Sequence, residues 1–117
     1  MKPLFVCYPK CTTCKRAEAW LKQQGVDYEL RHIVEANPTA AELEGWIKRS
    51  RLPISRFFNT SGILYRSMNL KDRVKSEAPE SLLELLSTDG MLVKRPILIT
   101  EKGVFPGFRE AEWAALL

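Results

Sequence analysis

Two cysteines separated by two residues, Cys11 and Cys14, are the part of this sequence best suited to chemistry. They follow a short apolar segment and stand at the start of an apolar pattern with helical spacing. A thiol at a helix N-terminus faces unpaired backbone N–H groups and the positive end of the helix dipole, which favour the thiolate. Lys10 and Lys15 add positive charge nearby. The pattern predicts that Cys11 is an attacking nucleophile and that Cys14 resolves the mixed disulfide.

A CxxC pair between a strand and a helix is typical of thioredoxin-like redox sites, although an inert pair and a zinc site stay open as alternatives. Zinc needs two further ligands, and the only candidates are Cys7 and His32, which lack the spacing of a zinc module. We therefore predict no metal site. Alternation along the predicted first strand makes Cys7 a buried, unreactive thiol. His32 is predicted to lie in a strand or at its end.

Arg95 and Pro96 form a second group of candidates. Pro96 precedes a strand-like segment that is expected beside the cysteine loop, where a cis bond would expose backbone to an extended thiol substrate. A trans proline at the start of an edge strand is the alternative. Arg95 is either a solvated surface residue or a donor that stabilises a thiolate or a bound oxyanion by charge-assisted hydrogen bonds.

The elements that must position these residues follow from apolar spacing and from the prolines and glycines. Strands are expected at residues 4–8, 26–33, 97–100 and 104–105. Helices are expected at residues 14–24, 39–51, 69–75, 79–90 and 109–117. The order is βαβ, a helical block and ββα. It predicts a single domain over residues 1–117 with a helical insertion at about 38–90.

Composition excludes several functional classes. The 117 residues are 45% hydrophobic and 27% charged, as in one globular domain. The net charge is +4, but basic and acidic residues are mixed, so no direct nucleic-acid binding is expected. No apolar run approaches the roughly 20 residues that span a membrane, and the segment MKPLFVCYPK lacks the apolar stretch expected of a signal peptide. We expect a cytoplasmic protein with reduced cysteines and no membrane association.

Four segments together resemble the arsenate reductase superfamily, in the branch that contains Spx: YPKCTTCKRAEAWL, FFNTSG, KRPILI and GFREAEW. The resemblance covers nearly the whole chain. It implies an α/β fold with a thioredoxin-like (glutaredoxin-like) mixed sheet and a helical insertion between the second and third strands. It also implies a cis peptide bond before Pro96.

Glutathione- and glutaredoxin-coupled arsenate reductases of this superfamily attack arsenate with a cysteine at the position of Cys11 and bind the oxyanion with three arginines. Arg95 matches one arginine, and Arg109 matches another after a one-residue shift. The remaining arginine falls on or beside Asn59, with Arg56 and Arg66 out of register. Those enzymes usually lack a cysteine at position 14. These differences favour dithiol chemistry, with Arg109, Pro96 and Asn59 as substrate-binding candidates.

Spx-type regulators carry a CxxC redox switch and bind the RNA polymerase α subunit, whereas this chain ends without the C-terminal segment expected of a full Spx. The prediction is a thiol:disulfide oxidoreductase with no bound cofactor, recycled by glutathione and glutaredoxin or by thioredoxin. The alternatives are a redox-switched regulator that binds the α subunit and a thiol-coupled arsenate reductase.

Overall fold

The computed structural model describes residues 2–117, which contain one four-stranded mixed sheet. The strands are β1, Leu4–Cys7; β2, Glu29–His32; β3, Ile97–Thr100; and β4, Gly103–Pro106. Their order across the sheet is β2-β1-β3-β4. β1 is parallel to β2, while β3 is antiparallel to both β1 and β4. The C-terminal end of β1 therefore lies beside the N-terminal end of β3.

Six α-helices accompany the sheet within the described residues. They are α1, Thr12–Gln23; α2, Ala40–Ser50; α3, Ile63–Ser67; α4, Leu70–Ser76; α5, Pro79–Thr88; and α6, Glu110–Leu116. Short 3₁₀ turns lie at Ile54–Phe57 and Gly90–Leu92. Helices α2 to α5 all lie between β2 and β3 in the chain. The predicted α/β fold class with a helical insertion is confirmed.

The sheet separates two apolar clusters because alternate residues of a strand face opposite sides. Phe5 and Cys7 of β1 face the first cluster, which includes residues of α1 and α6. Val6 faces the second cluster, which includes residues of α2, α4 and α5. In β3, Leu98 belongs to the first cluster and Ile97 to the second. Cys7, at the end of β1, therefore lies on the side of the sheet that α1 covers, in the same cluster as Cys14 of the first turn of α1.

The predicted second strand differs from the structure in its bounds. A strand was expected over residues 26–33, but β2 has only four residues, and Leu30 within it is 49% exposed. β2 is an edge strand, so fewer elements cover it.

Helix α5 buries only one of its faces. In α5, Leu82 and Leu86 are buried whereas Leu83 and Leu85 are half-buried. A stripe with i, i+4 spacing can bury only one helix face.

Helix α3 was not predicted. None of its five residues is buried, so it lacks the apolar stripe that reveals a helix in a sequence. It follows the turn-rich segment at residues 59–62. Helix α3 therefore directly follows residues 59–62, which lie beside the cysteine loop.

An ion pair joins β2 to α2. Arg31 donates from Nη1 to Oε2 of Glu42 at 2.5 Å and from Nη2 to Oε1 at 2.8 Å. Glu42 also accepts a hydrogen bond from the backbone N–H of Thr39, whose hydroxyl accepts the Glu42 N–H in return. These hydrogen bonds, that of Arg31 above all, lower the pKa of Glu42 to about 2 although burial opposes them.

Replacing Glu42 with glutamine should therefore destabilise the fold in a pH-dependent way. The folded pKa of about 2 lies below the usual pKa of glutamate, so the stabilisation is present above about pH 4.3 and is lost as pH falls toward 2. After discounting for partial exposure, we expect a loss of about 1–2 kcal/mol at pH 7 and almost none near pH 2. Urea unfolding at both pH values measures this difference.

Glu44→Gln is the matched control, because Glu44 forms an exposed pair with Lys48 at 3.8 Å. It should change the free energy of unfolding by less than about 0.5 kcal/mol. A loss for Glu42→Gln that is equal at pH 7 and pH 2 would show that its carboxylate charge is not the cause.

Candidate functional site

Cys11 is the residue immediately before α1. Its carbonyl accepts a hydrogen bond from the N–H of Lys15 at 3.1 Å, and its own N–H donates to the carbonyl of Tyr8 at 2.9 Å. The helix begins at Thr12, two residues earlier than predicted. Cys11 thus occupies the N-cap position with a half-buried side chain, while Cys14 lies in the first turn.

Several donors converge on the sulfur of Cys11. Burial raises the pKa of Cys11, but hydrogen bonds outweigh it and hold the pKa below its ordinary value. The donors are the backbone N–H and the thiol of Cys14, the backbone N–H of Thr13 and the guanidinium of Arg95. Because these groups bind the charged form of the sulfur, they favour the thiolate.

Cys14 has the opposite character. It is 2% exposed, and its Sγ accepts a hydrogen bond from the backbone N–H of Tyr8 at 3.4 Å. Burial raises the pKa of Cys14 to about 12, and its hydrogen bond to Cys11 and the charges of Cys11 and Cys7 add to this effect, while the Tyr8 N–H opposes it. The site therefore favours the thiolate form of Cys11 and the neutral thiol form of Cys14.

Cys11 opens onto a cavity of about 220 Å³. The other residues that line it are Thr13, Asn59, Ser61, Gly62, Lys94 and Arg95. Two of these are cations, and the lining residues include no carboxylate among those that the structure describes. The cavity is suited to an anionic or thiol-bearing substrate.

Arg95 lines the cavity of Cys11, and Pro96 follows it in the chain, directly before β3. The guanidinium of Arg95 lies over the ring of Tyr8, 5.1 Å from its centroid, and donates to the carbonyl of Met91 at 3.4 Å. The bond between Arg95 and Pro96 is cis, which confirms the implication of the resemblance. The carbonyl of Pro96 accepts the N–H of Gly107 at 2.7 Å, so this carbonyl is engaged within the fold.

The other two substrate-binding candidates lie in different cavities. Asn59 borders the cavity of Cys11, and its N–H donates to the carbonyl of Leu92 at 2.8 Å. Arg109 precedes α6 and lines a second cavity of about 220 Å³ together with Arg56. Lys94 borders both cavities. The structure thus brings Asn59 and Arg95 to Cys11 and places Arg109 beside a neighbouring cavity.

Sequence reasoning missed Ser61, Gly62 and Lys94. A Cβ atom at Gly62 would lie 2.7 Å from Nδ2 of Asn59, so the glycine leaves room for that side chain. The segment FFNTSG contains two of these residues, and Lys94 directly precedes Arg95. The resemblance brought Asn59 and Arg95 of these two segments to one site, but it assigned no role to the residues beside them.

Cys7 and His32 lie where they were predicted. Cys7 is 3% exposed, and burial raises its pKa to about 11, with added effects from Glu18 and Cys11. His32 ends β2, and its Nδ1 accepts the N–H groups of Val34 and Glu35, both at 3.1 Å.

Residues 2–117 contain no group of three or more His, Cys, Asp or Glu arranged to hold a metal ion. No helix within the same residues has the length and apolar character to cross a membrane.

Replacing Arg95 with glutamine should raise the pKa of Cys11, because one charged donor to the thiolate is lost. We expect alkylation of Cys11 by iodoacetamide at neutral pH to slow roughly fivefold and the two rates to converge at high pH. Arg56→Gln, in the neighbouring cavity, is the control and should leave the pH profile unchanged. An identical profile for Arg95→Gln and the unmodified chain would contradict this role.

Comparison with known proteins gives a consistent set of relatives. Residues 7–116 match the family model described as ArsC family. The uncharacterized protein YusI of Bacillus subtilis is 41% identical over 113 residues, which cover 97% of this chain and 96% of that protein. The global transcriptional regulator Spx of Enterococcus faecalis is 30% identical over 105 residues, which cover 89% of this chain and 77% of Spx.

Solved structures agree with the sequence relatives. An ArsC family related protein from Bacteroides fragilis superposes with a TM-score of 0.96 at 44% identity, covering 100% of this chain and 98% of that one. A possible arsenate reductase from Streptococcus mutans superposes with a TM-score of 0.88 at 38% identity, covering 97% of this chain and 96% of that one. The similarities thus include reductase-like proteins and transcriptional regulators.

Proposed function

This chain belongs to the ArsC family, and from that premise we propose that it is a thiol-dependent reductase, a thiol:disulfide oxidoreductase that uses Cys11 and Cys14. One observation carries the proposal: the two thiols have opposite electrostatic environments one helical turn apart. The pKa of Cys11 is lowered at the rim of an open cavity, whereas that of the buried Cys14 is raised. A nucleophile and a protected resolving thiol need these two environments.

In the first step, the Cys11 thiolate attacks one sulfur of a substrate disulfide. A bond forms between Cys11 and that sulfur, the substrate disulfide breaks, and the second substrate sulfur leaves as a thiolate. Arg95 and the N–H groups of Thr13 and Cys14 hold the attacking sulfur in its charged form until the bond forms. The product is a mixed disulfide on Cys11.

In the second step, Cys14 resolves this mixed disulfide. Once Cys11 is uncharged, two of the influences that keep Cys14 protonated disappear: its hydrogen bond to Cys11 and the charge of Cys11. The thiolate released in the first step accepts the Cys14 proton. Cys14 then attacks Sγ of Cys11, the substrate sulfur leaves as a thiolate, and a Cys11–Cys14 disulfide remains.

An external thiol must return the disulfide to the dithiol form. The proposal assigns this role to glutathione with glutaredoxin or to thioredoxin, with no bound cofactor, and it places the protein in the cytoplasm. Asn59 and Arg95 would contact the substrate in the Cys11 cavity. Arg109 would act on an anionic group that extends into the neighbouring cavity.

The test is turnover of 2-hydroxyethyl disulfide with NADPH consumption coupled through either glutathione and glutaredoxin or thioredoxin. We expect consumption above the rate without the protein in at least one of the two systems. No consumption in either would overturn the proposal. Arsenate replaces the disulfide in a parallel reaction, and turnover of arsenate alone would assign the protein as an arsenate reductase instead.

The second candidate is an Spx-like regulator that binds the RNA polymerase α subunit according to the redox state of Cys11 and Cys14. The observation that favours it is the 30% identity to the global transcriptional regulator Spx. The proposal involves no direct contact with nucleic acid or with a membrane. Capture of purified α subunit by the reduced or the oxidised protein would support it, and no capture in either state would exclude it.

A further inference from the structure

Cys7 is a third thiol at the site, and the proposed cycle does not use it. It ends β1 and is 3% exposed, in the same apolar cluster as Cys14, which is 2% exposed. Cys11 packs against this cluster from the cavity side. Cys7 also interacts electrostatically with both other thiols. The three cysteines therefore belong to or border one apolar cluster where β1 meets α1.

The hydrogen bond from Tyr8 to Cys14 limits the separation between Cys7 and Cys14. Sγ of Cys14 lies 3.4 Å from the backbone nitrogen of Tyr8. That nitrogen is two covalent bonds from Cα of Cys7, about 2.4 Å away, so Sγ of Cys14 lies within about 6 Å of that Cα. The Cys7 side chain extends from this Cα into the apolar cluster that also contains Cys14, so rotation of the Cys7 side chain can bring its sulfur toward that of Cys14.

We propose that Cys7 is a second resolving thiol, which attacks Cys14 in the Cys11–Cys14 disulfide, moves the disulfide to Cys7–Cys14 and frees Cys11. This inference rests on the proposed function, because the Cys11–Cys14 disulfide is its starting point.

The step balances without any outside oxidant. The Cys7 thiol gives its proton to water, and its sulfur forms a bond to Sγ of Cys14. The bond between Cys14 and Cys11 breaks, and its electron pair leaves on Cys11 as a thiolate. The chain contains one disulfide and one cysteine outside it both before and after the exchange, so it remains oxidised by two electrons throughout.

The direction of attack follows from the two possible leaving groups. A thiol of low pKa leaves faster, and the site holds the pKa of Cys11 down while that of Cys14 is high. Attack on Cys14 therefore expels the better leaving group. Burial above all, with Glu18 adding to it, raises the pKa of Cys7 and disfavours its thiolate, which makes this exchange slower than the resolving step of Cys14. The result is a buried disulfide with a reactive Cys11 at the cavity, ready for a second substrate.

The experiment locates the free thiol of the oxidised chain. The protein is oxidised by 2-hydroxyethyl disulfide, quenched in acid, unfolded and labelled with N-ethylmaleimide, and peptide mass spectrometry identifies the labelled cysteine. We expect label on both Cys7 and Cys11, together with peptides linked through Cys7–Cys14. Label on Cys7 alone would overturn the proposal.

Cys7→Ala is the matched variant and should lose the Cys11 label while keeping the Cys11–Cys14 disulfide. Cys7→Val fills more of the buried volume than Cys7→Ala, and it is the variant to use if Cys7→Ala fails to fold. Turnover of the unmodified chain separates the two proposals. Turnover without any Cys11 label overturns the exchange alone, whereas absence of turnover in both recycling systems overturns the proposed function.

Discussion

Replacing Cys11 with serine is expected to abolish disulfide reduction, lowering kcat/KM by about 10³-fold or more. A serine hydroxyl is not ionised near neutral pH and forms no mixed disulfide with a substrate. The donors that surround Sγ of Cys11 would then stabilise no thiolate. The measurement is NADPH-coupled turnover of 2-hydroxyethyl disulfide by the purified variant.

Cys14→Ser is the matched control, since it removes a thiol one turn away but leaves the nucleophile. It should release one equivalent of substrate thiol per chain and then stop, with the mixed disulfide visible as added mass on Cys11. The roles would be reversed if Cys11→Ser kept the original rate while Cys14→Ser formed no adduct.

Replacing Trp113 with alanine is expected to destabilise the fold by about 3–5 kcal/mol. Trp113 is fully buried, and its ring packs edge-on against Phe5, Trp20 and Phe108 with centroids 6.0, 6.3 and 5.0 Å away. Its Nε1–H donates to the carbonyl of Gly107 at 2.8 Å. The substitution would leave a large cavity and an unpaired carbonyl in the cluster that contains Cys7 and Cys14.

Urea unfolding at pH 7 measures this loss. Trp113→Phe retains the aromatic contacts but not the hydrogen bond, so it should be less destabilising than the alanine variant. Ile63→Ala is a surface control, because Ile63 is 84% exposed and its truncation should change stability by less than about 0.5 kcal/mol. Equal effects of Trp113→Ala and Ile63→Ala would contradict the role of Trp113 in the core.

The central part of the fold could be predicted because its signals are local. The apolar run that ends at Pro9, the helical spacing from Cys14 and the glycine at position 25 define the first strand–helix unit in the sequence. Thr39 and Glu42 have the spacing of a capping box, which in the sequence indicates the start of α2, and the structure forms both of its hydrogen bonds. These features depend on neighbouring residues alone.

The edges of the fold depend on contacts between distant segments. Leu30 has a strand-like pattern, but its exposure depends on the position of β2 at the edge of the sheet. Helix α3 has no buried residue and therefore no periodic signal. Nothing in a single sequence specifies which strand is left uncovered.

The candidate site was predictable in its chemistry and less so in its arrangement. The CxxC spacing indicated two thiols at a helix start, and the order of attack and resolution stays a prediction. The contrast between a half-buried Cys11 and a buried Cys14 depends on how α1 packs on β1. The distribution of Asn59 and Arg109 over two cavities depends on how the insertion and α6 approach the sheet.

Alkylation of the reduced chain against pH, with identification of the first modified cysteine, tests the central claim most directly. The account predicts that Cys11 reacts first, with a midpoint below the usual pKa of a free cysteine, while Cys14 and Cys7 stay unmodified until the chain unfolds. First modification at Cys14, or a Cys11 midpoint at or above the usual value, would contradict it.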